Sequence, residues 1–398
     1  MISTISEKIR QAQAILAERK VDCWLTFVRE TSSISDPALE LILGTNVVWP
    51  SAFIIAANGK AVAIVGSLDV QNIKDHAPYE VVGYVDSIRE ALRSTLECMN
   101  PRRIAINYST ADVMADGLTF GMHKLLIEYL EGTPFARRFE SSEPVVTALR
   151  SRKSASEIEA VRSAVDETLS IFGEVTRFLK PGLTEKDVAE FILKRTKEQS
   201  LEPAWDPESC PAVFTGPESA GAHAMPTART MEPGHLMNID FGVRKNGYVS
   251  DLQRTWYFLK KGETQAPADV RKGFTTIRDA IRRSAEALKP GVEGRAVDKI
   301  ARDLITSAGY SEYPHALGHQ VGRKAHDGGG LLAPNWERYK NLPFMKVEAE
   351  QVYTLEPRLT VEGRGVATVE EIVVVTENGC RFLSSPQEEL ICIEFRER

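Results

Sequence analysis

No apolar run in this sequence approaches the roughly 20 residues that a membrane-spanning helix needs. Its apolar stretches, such as 53–57 and 61–65, are of strand length. Cysteine is scarce and odd in number, at Cys23, Cys98, Cys210, Cys380 and Cys392, and no C-x-x-C pair occurs. That argues against a disulfide framework and fits reduced thiols in a cytoplasmic protein, each read as a small buried apolar residue. Charge of one sign is not in large excess: 49 Lys and Arg stand against 55 Asp and Glu, for a net charge of −6. This mild acidity argues against nucleic acid or an anionic membrane as the main partner. The first 20 residues mix charge with apolar side chains and hold no signal-peptide core.

What is present is an ordinary globular composition, with 43% hydrophobic and 26% charged residues over 398 positions, enough for two or three domains. Ile5, Ile9, Ala12 and Ile15 recur at helix spacing. Strand-like stretches follow at 23–28, 51–57, 61–66 and 103–107, with helical patterns near 84–97 and 118–131. The alternation predicts an α/β domain over residues 1–148. It contains neither a nucleotide-binding loop nor a nucleophile elbow.

A second unit is expected over 149–398, and it looks duplicated. An apolar stripe from Ile158 to Leu179 ends at Leu-Lys-Pro181-Gly182, and a second from Val270 to Ile281 leads to Leu-Lys-Pro290-Gly291. Each stop precedes a shorter helical pattern, the first capped by Thr184 and Asp187. Each then leads to a histidine segment, containing His223 or His315 and His319, and to a strand with a carboxylate, Asp240 or Glu356. Two such α+β halves packed face to face would form one sheet with a site between them.

Asp240 and Asp251 flank Lys245-Asn246-Gly247, a strong hairpin signal that brings the two carboxylates close across neighbouring strands. Their flanks, Ile239, Phe241, Leu252 and Trp256, are apolar, so the strands should be buried, where unpaired carboxylates are costly. Glu356 and Glu370 sit on two further apolar stretches. Converging, the four would repel one another, but their charge equals that of two divalent cations, and a two-metal site would let them coexist. Exposed, non-converging carboxylates are the competing reading. His315, His319 and His326 fall within twelve positions, in a chain with seven histidines. Gly318 and Gly322 around His319 allow close approach. One imidazole with four carboxylates suits manganese, cobalt, iron or zinc without choosing among them.

These motifs resemble the creatinase/aminopeptidase superfamily, also called the pita-bread fold or peptidase family M24. The matching stretches are Asn238-Ile-Asp240-Phe-Gly242, Ser250-Asp251-Leu-Gln-Arg254-Thr255, Gly318-His319-Gln-Val-Gly322, Leu355-Glu356-Pro357 and Val369-Glu370-Glu371. The resemblance implies a pita-bread catalytic domain of duplicated α+β design behind a creatinase-like α/β domain. It implies that Asp240, Asp251, His319, Glu356 and Glu370 hold two divalent metal ions, with Asp251 and Glu370 bridging and Glu356 also acting as general acid/base. It further implies that His223 and His326 take part in catalysis, and that these two and His315 contact substrate. A homodimer is expected. Proline-directed members carry a Tyr and an Arg where this chain has Thr360 and Thr368; Arg323 or Arg358 could restore the missing donors, and Trp336 and Tyr339 in the long 328–347 segment could line a pocket.

The expected function is therefore a Xaa-Pro dipeptidase- or aminopeptidase-like hydrolase acting on short peptides. A relative that hydrolyses a small amide or other C–N-bonded metabolite is the alternative enzyme. A non-catalytic binding module on the same fold is disfavoured, because such modules tend to lose the ligand residues that this chain keeps.

Overall fold

A computed structural model describes residues 2–180, 182–218 and 225–394 of the chain. The chain divides into two compact units, 1–154 and 155–398.

In the first unit the order is α1 (Ile2–Arg19), β1 (Cys23–Val28), α2 (Leu39–Ile42), β2 (Ser51–Ala56), β3 (Ala61–Gly66), α3 (Val70–His76), β4 (Glu80–Tyr84), α4 (Arg89–Met99), β5 (Ile104–Ile106), α5 (Phe120–Tyr129), β6 (Phe139–Ser141) and α6 (Glu143–Ser151). The six strands form one mixed sheet in the order β4-β3-β2-β1-β5-β6. Its central strands read as continuous apolar runs because both faces are covered. Along β1, Trp24 and Val28 join a core with Ile5, Ile9 and Leu16 of α1. Cys23, Leu25 and Phe27 face the other way, toward Leu92 and Leu96 of α4 and Leu126 of α5.

The second unit begins with α7 (Ala155–Phe178), α8 (Glu185–Glu198), β7 (Glu202–Pro203), β8 (Ala212–Thr215), β9 (Leu236–Phe241), β10 (Val243–Lys245), β11 (Tyr248–Val249) and β12 (Leu252–Phe258). It continues with α9 (Ala268–Ala287), α10 (Gly294–Ser307), β13 (Val352–Leu355), β14 (Arg358–Val361), β15 (Gly365–Thr368), β16 (Glu371–Val375), β17 (Cys380–Phe382) and β18 (Ile391–Ile393). The expected repeat is visible in the two helix pairs, α7–α8 and α9–α10. Gly182 and Gly291 follow the first helix of each pair with φ of 77° and 88°, which a side chain would resist. Thr184 and Asp187 form the expected capping box of α8. One core gathers α7, α8, β9 and β12; another gathers α9, α10 and β14.

The strands do not form the single sheet expected. They divide into ladders β18-β12-β9-β8, β13-β16-β17, β11-β10-β7 and β14-β15. The first two meet at one isolated bridge, Gln253 with Glu370. The reason lies in hydrogen-bonding capacity: on the edge of β12 away from β9, β18 takes Trp256–Phe258 and the Gln387 side chain takes the N–H and carbonyl of Thr255, which leaves only Gln253 to bridge.

A buried ion pair holds this junction. Arg254 contacts Glu371 at 3.1 Å, with both side chains almost inaccessible. Arg254 also donates to the carbonyls of Gln253 and Glu370, at 2.9 and 3.0 Å. The Glu371 carboxylate also accepts from the Ser384 hydroxyl and the Gln387 backbone N–H. We expect Arg254→Met to lower unfolding stability by about 3–5 kcal/mol, because it strands Glu371 as a buried charge. Urea denaturation measures this; a loss under about 1 kcal/mol would mean that the junction does not depend on the pair.

Candidate metal centre

Strand alternation selects which side chains reach the site. On β9, Met237, Ile239 and Phe241 enter the core with α7, so Asn238 and Asp240 face the opposite way. Asn246 and Gly247 form the predicted tight turn, with φ of 53° and 81°, as a two-residue hairpin loop requires. The register across β9 and β12 sets Asp240 opposite Gln253 and Phe241 opposite Leu252. Asp251 therefore sits just before β12, beside Gly242. A Cβ on Gly242 would lie 1.9 Å from the Ser250 carbonyl, so only glycine permits this approach.

His319 arrives from the second half. Its backbone is pinned against β13: its N–H donates to the Thr354 hydroxyl, and its carbonyl accepts from the Thr354 N–H at 2.9 Å. Gly318 makes the contact possible, since a Cβ there would meet the Thr354 carbonyl at 1.9 Å. Glu356 leaves the end of β13 and Glu370 stands just before β16. Three of the four carboxylates thus sit at strand ends.

The five residues converge. His319 Nε2 lies 3.3 Å from Glu356, 3.7 Å from Asp251 and 3.9 Å from Glu370. Donor atoms of Asp251, His319 and Glu370 all lie within 4.8 Å of one another. Asp240 joins through a hydrogen bond shared with Asp251. Burial, then repulsion from its neighbours, raises the Asp240 and Glu370 carboxyls well above the usual range. Burial pushes Asp251 to about 7, although His319 opposes the rise. Burial would also raise Glu356, but its hydrogen bond to His319 and that residue's charge outweigh it and hold Glu356 low. Burial would lower His319; contact with Glu356 prevails and raises it to about 9.

Among the described residues, Asp240 Oδ1 and Glu370 Oε1 are buried without a hydrogen-bond partner. Buried carboxylate oxygens left unpaired are costly, and four of these groups cannot all ionise here without compensating charge. The residues therefore fit divalent cations.

Of the remaining histidines, His315 donates Nδ1–H to the Ala316 carbonyl at 2.8 Å. It is held below its usual range first by burial, against the pull of Glu356. The His326 ring lies 4.3 Å from that of His319 and nearly perpendicular to it. His223 lies outside the described residues. Trp336 and Tyr339 stack on each other at 5.9 Å. The Arg302 guanidinium lies 4.8 Å from Trp336 and 4.1 Å from Tyr313, tying this segment to the strip that carries His315.

Neither suggested arginine makes a hydrogen bond or ion pair with the cluster carboxylates among the described residues. Arg323 lies over the Tyr248 ring at 5.0 Å, and Arg358 makes no hydrogen bond or ion pair among the described residues. Gln253 lies among these carboxylates instead, a residue that sequence reasoning passed over. Its amide donates to Glu370 at 3.0 Å and, more weakly, to Glu356 at 3.4 Å. Its carbonyl oxygen accepts from the Thr368 hydroxyl at 3.1 Å. Thr368 is therefore not simply a loss: it fixes the orientation of the glutamine. The available signal was spacing, since Gln253 shares a strand face with Asp251.

A family model for metallopeptidase family M24 matches residues 159–377, more than half of the chain. A peptidase of Staphylococcus saprophyticus is 29% identical over 391 residues, covering 96% of this chain and 98% of that protein. A Xaa-Pro dipeptidase of Pyrococcus furiosus is 26% identical over 345 residues, covering 85% and 88%. Among solved structures, a Xaa-Pro dipeptidase from Bacillus anthracis superposes with a TM-score of 0.75 at 23% identity, covering 98% of this chain and 100% of that one. An X-Pro aminopeptidase from Thermotoga maritima gives 0.71 at 22%, covering 97% and 99%. These likenesses cover nearly the whole chain, the α/β unit as well as the pita-bread unit that follows it.

Two outcomes are expected. Gln253→Ala should weaken divalent-cation binding about 10- to 100-fold, the usual effect of losing a residue that orients ligands; calorimetric titration with manganese would expose an unchanged affinity. Binding should also release protons. A carboxyl raised to about 7 keeps its proton in the metal-free fold but not when unfolded, so its stabilising contribution is full below about pH 4 and is lost as pH rises through about 7. Cations that displace this proton should bind more weakly as pH falls from 7 to 5, with heats that depend on the buffer's ionisation enthalpy. Buffer-independent heats at pH 6 would contradict the assignment.

Proposed function

Since the chain belongs to metallopeptidase family M24, we propose that it hydrolyses short peptides next to the N-terminus, as Xaa-Pro dipeptidases and aminopeptidases do. The observation that carries this reading is the convergence of Asp240, Asp251, His319, Glu356 and Glu370, with two carboxylate oxygens that lack a hydrogen-bond partner among the described residues. These five residues would hold two divalent cations. When bound, such cations supply Lewis acidity toward the scissile carbonyl and lower the pKa of water. Manganese, cobalt, iron and zinc all suit this mixed oxygen and nitrogen set.

The remaining chemistry falls to the chain's own groups. Glu356 lies at the end of β13 with its side chain 16% accessible, so it can take a proton from the attacking water and pass it to the leaving amine. The Nδ1–H of His315 is committed to a backbone carbonyl, which leaves Nε2 as an acceptor for a substrate N–H. His326, beside His319, would donate to the oxygen on which charge develops. His223 would join them by its motif position.

The missing Tyr–Arg pair bears on specificity. Thr360 is exposed, and the Thr368 hydroxyl is engaged by Gln253, so neither offers a long rigid donor to substrate. Proline selectivity should therefore be weaker than in a typical prolidase, and small amides remain a second class of substrate.

Two measurements check this reading. Glu356→Gln should lower turnover at least about a hundredfold while circular dichroism shows the fold retained. Near-normal single-turnover rates in a metal-loaded variant would place the acid/base role elsewhere. For the wild type, kcat/KM for Ala-Pro should exceed that for Ala-Ala by less than about a thousandfold, or roughly 4 kcal/mol. A larger ratio would make this a strict prolidase, and no cleavage of any short peptide would end the peptidase reading.

A further inference from the structure

Helix α10 turns a charged pair toward the core. Asp298 and Arg302, one helical turn apart, are buried on the same face as Val297, Ala301 and Ile305. Burying two charges is costly unless their hydrogen bonds are complete. The Arg302 guanidinium makes five hydrogen bonds, as many as it has N–H groups. Its Nε and Nη2 donate to the two Asp298 oxygens at 2.6 and 3.1 Å. Its Nη1 donates to Glu312 at 3.0 Å and to the Tyr313 carbonyl at 2.7 Å, and Nη2 donates also to the His315 carbonyl.

These bonds support a strip that has no ladder of its own. Residues 311–317 belong to no helix or strand, so their buried backbone groups need partners from elsewhere. Arg302 meets the carbonyls of Tyr313 and His315, and Asp298 Oδ1 accepts the Leu317 N–H at 3.0 Å. The Leu317 carbonyl in turn accepts the Glu356 N–H at 2.8 Å. One end of the strip is thus fixed to α10 and the other to the residue that follows β13. His315 lies between the two attachments. Its Nδ1–H bond to the carbonyl of the next residue, Ala316, lasts only while the local backbone keeps its present course. Its ring stands 5.1 Å from that of Tyr313, and the Arg302 guanidinium lies 4.1 Å from the other ring. Arg302 therefore restrains His315 twice, through its carbonyl and through the aromatic ring beside it.

We propose that Arg302 is a positioning residue that holds His315 in register with Glu356, and that Asp298 anchors it in that role. A misplacement of about 1 Å in a group that contacts substrate can cost about a hundredfold in rate. The effect on turnover rests on the peptidase reading above; the orientation of His315 does not.

R302K keeps a charge beside Asp298, so the fold should be retained. Its compact ammonium cannot reproduce a planar fork that meets one carboxylate and two carbonyls together. Two-dimensional nitrogen-15 NMR of the histidine side chains, with the His315 signal assigned from H315Q, reads the tautomer without turnover. His315 should carry its proton on Nδ1 in the wild type, and in R302K the signal should move to an average of the two tautomers. D298N keeps an oxygen for the Leu317 N–H but loosens the hold on Arg302. It should move the signal less far, and it carries the test alone if R302K does not fold. A His315 signal that stays in place in the folded variants overturns the proposal. With manganese-loaded protein, R302K should lower kcat/KM for Ala-Pro about 10- to 100-fold. In an H315Q background the same change should cost less than about threefold, because a side chain already removed cannot be misplaced. No loss in R302K, or equal losses in the two backgrounds, overturns the positioning role. A moved signal in a protein that cleaves no peptide supports the positioning of His315 and ends the peptidase reading.

Discussion

Mutual repulsion among four carboxylates gathered around one imidazole is the constraint on which the rest of this site depends. Asp251 and Glu370 are buried, Asp240 and Glu356 only partly reach solvent, and among the described residues two of their oxygens have no hydrogen-bond partner. The surrounding fold holds them in place against that repulsion. Gly242 and Gly318 let backbones approach more closely than any side chain would allow. The buried Arg254–Glu371 pair locks the strand behind Glu370. Gln253 adds a neutral donor where a further charge would upset the balance.

Much of this was legible in the sequence. The ligand residues lie in apolar strand contexts, where a carboxylate is conspicuous because burial is expensive. The Asn246-Gly247 turn is local chemistry, and it fixed the pairing of β9 with β12. The two Leu-Lys-Pro-Gly stops marked a repeat that the helix pairs display. Less legible was anything that depends on pairing over long separations. Gln253 acquires its role only through contact with Glu370, 117 residues away, and no local periodicity encodes that contact. Thr368 read as the absence of an arginine because its partner was unknown. The expectation of one continuous sheet failed for a similar reason: repeat order shows which elements recur, but not how many edges each strand has to share.

The aromatic segment after the histidines shows how a loop can be made part of a rigid site. Arg302 binds Asp298 on its own helix and lies within reach of Tyr313 and Trp336. It also donates to the His315 carbonyl. A single buried guanidinium therefore coordinates helix α10, the histidine strip and the stacked pair Trp336 and Tyr339. The position of His315 is thereby set by side chains far from it in sequence.

The ligand residues are split between the two halves of the repeat: Asp240 and Asp251 come from the first, His319, Glu356 and Glu370 from the second. The ladders that carry them share a single bridge. Cations seated there would act as a clasp across a seam that few backbone hydrogen bonds close. An unloaded chain would open first along that seam, and the backbone released around Gln253 and Glu370 is where a protease or a chaperone would find it. Metal supply would then govern the lifespan of the polypeptide in the cell as well as its turnover, with scarcity thinning the population of molecules rather than merely idling them.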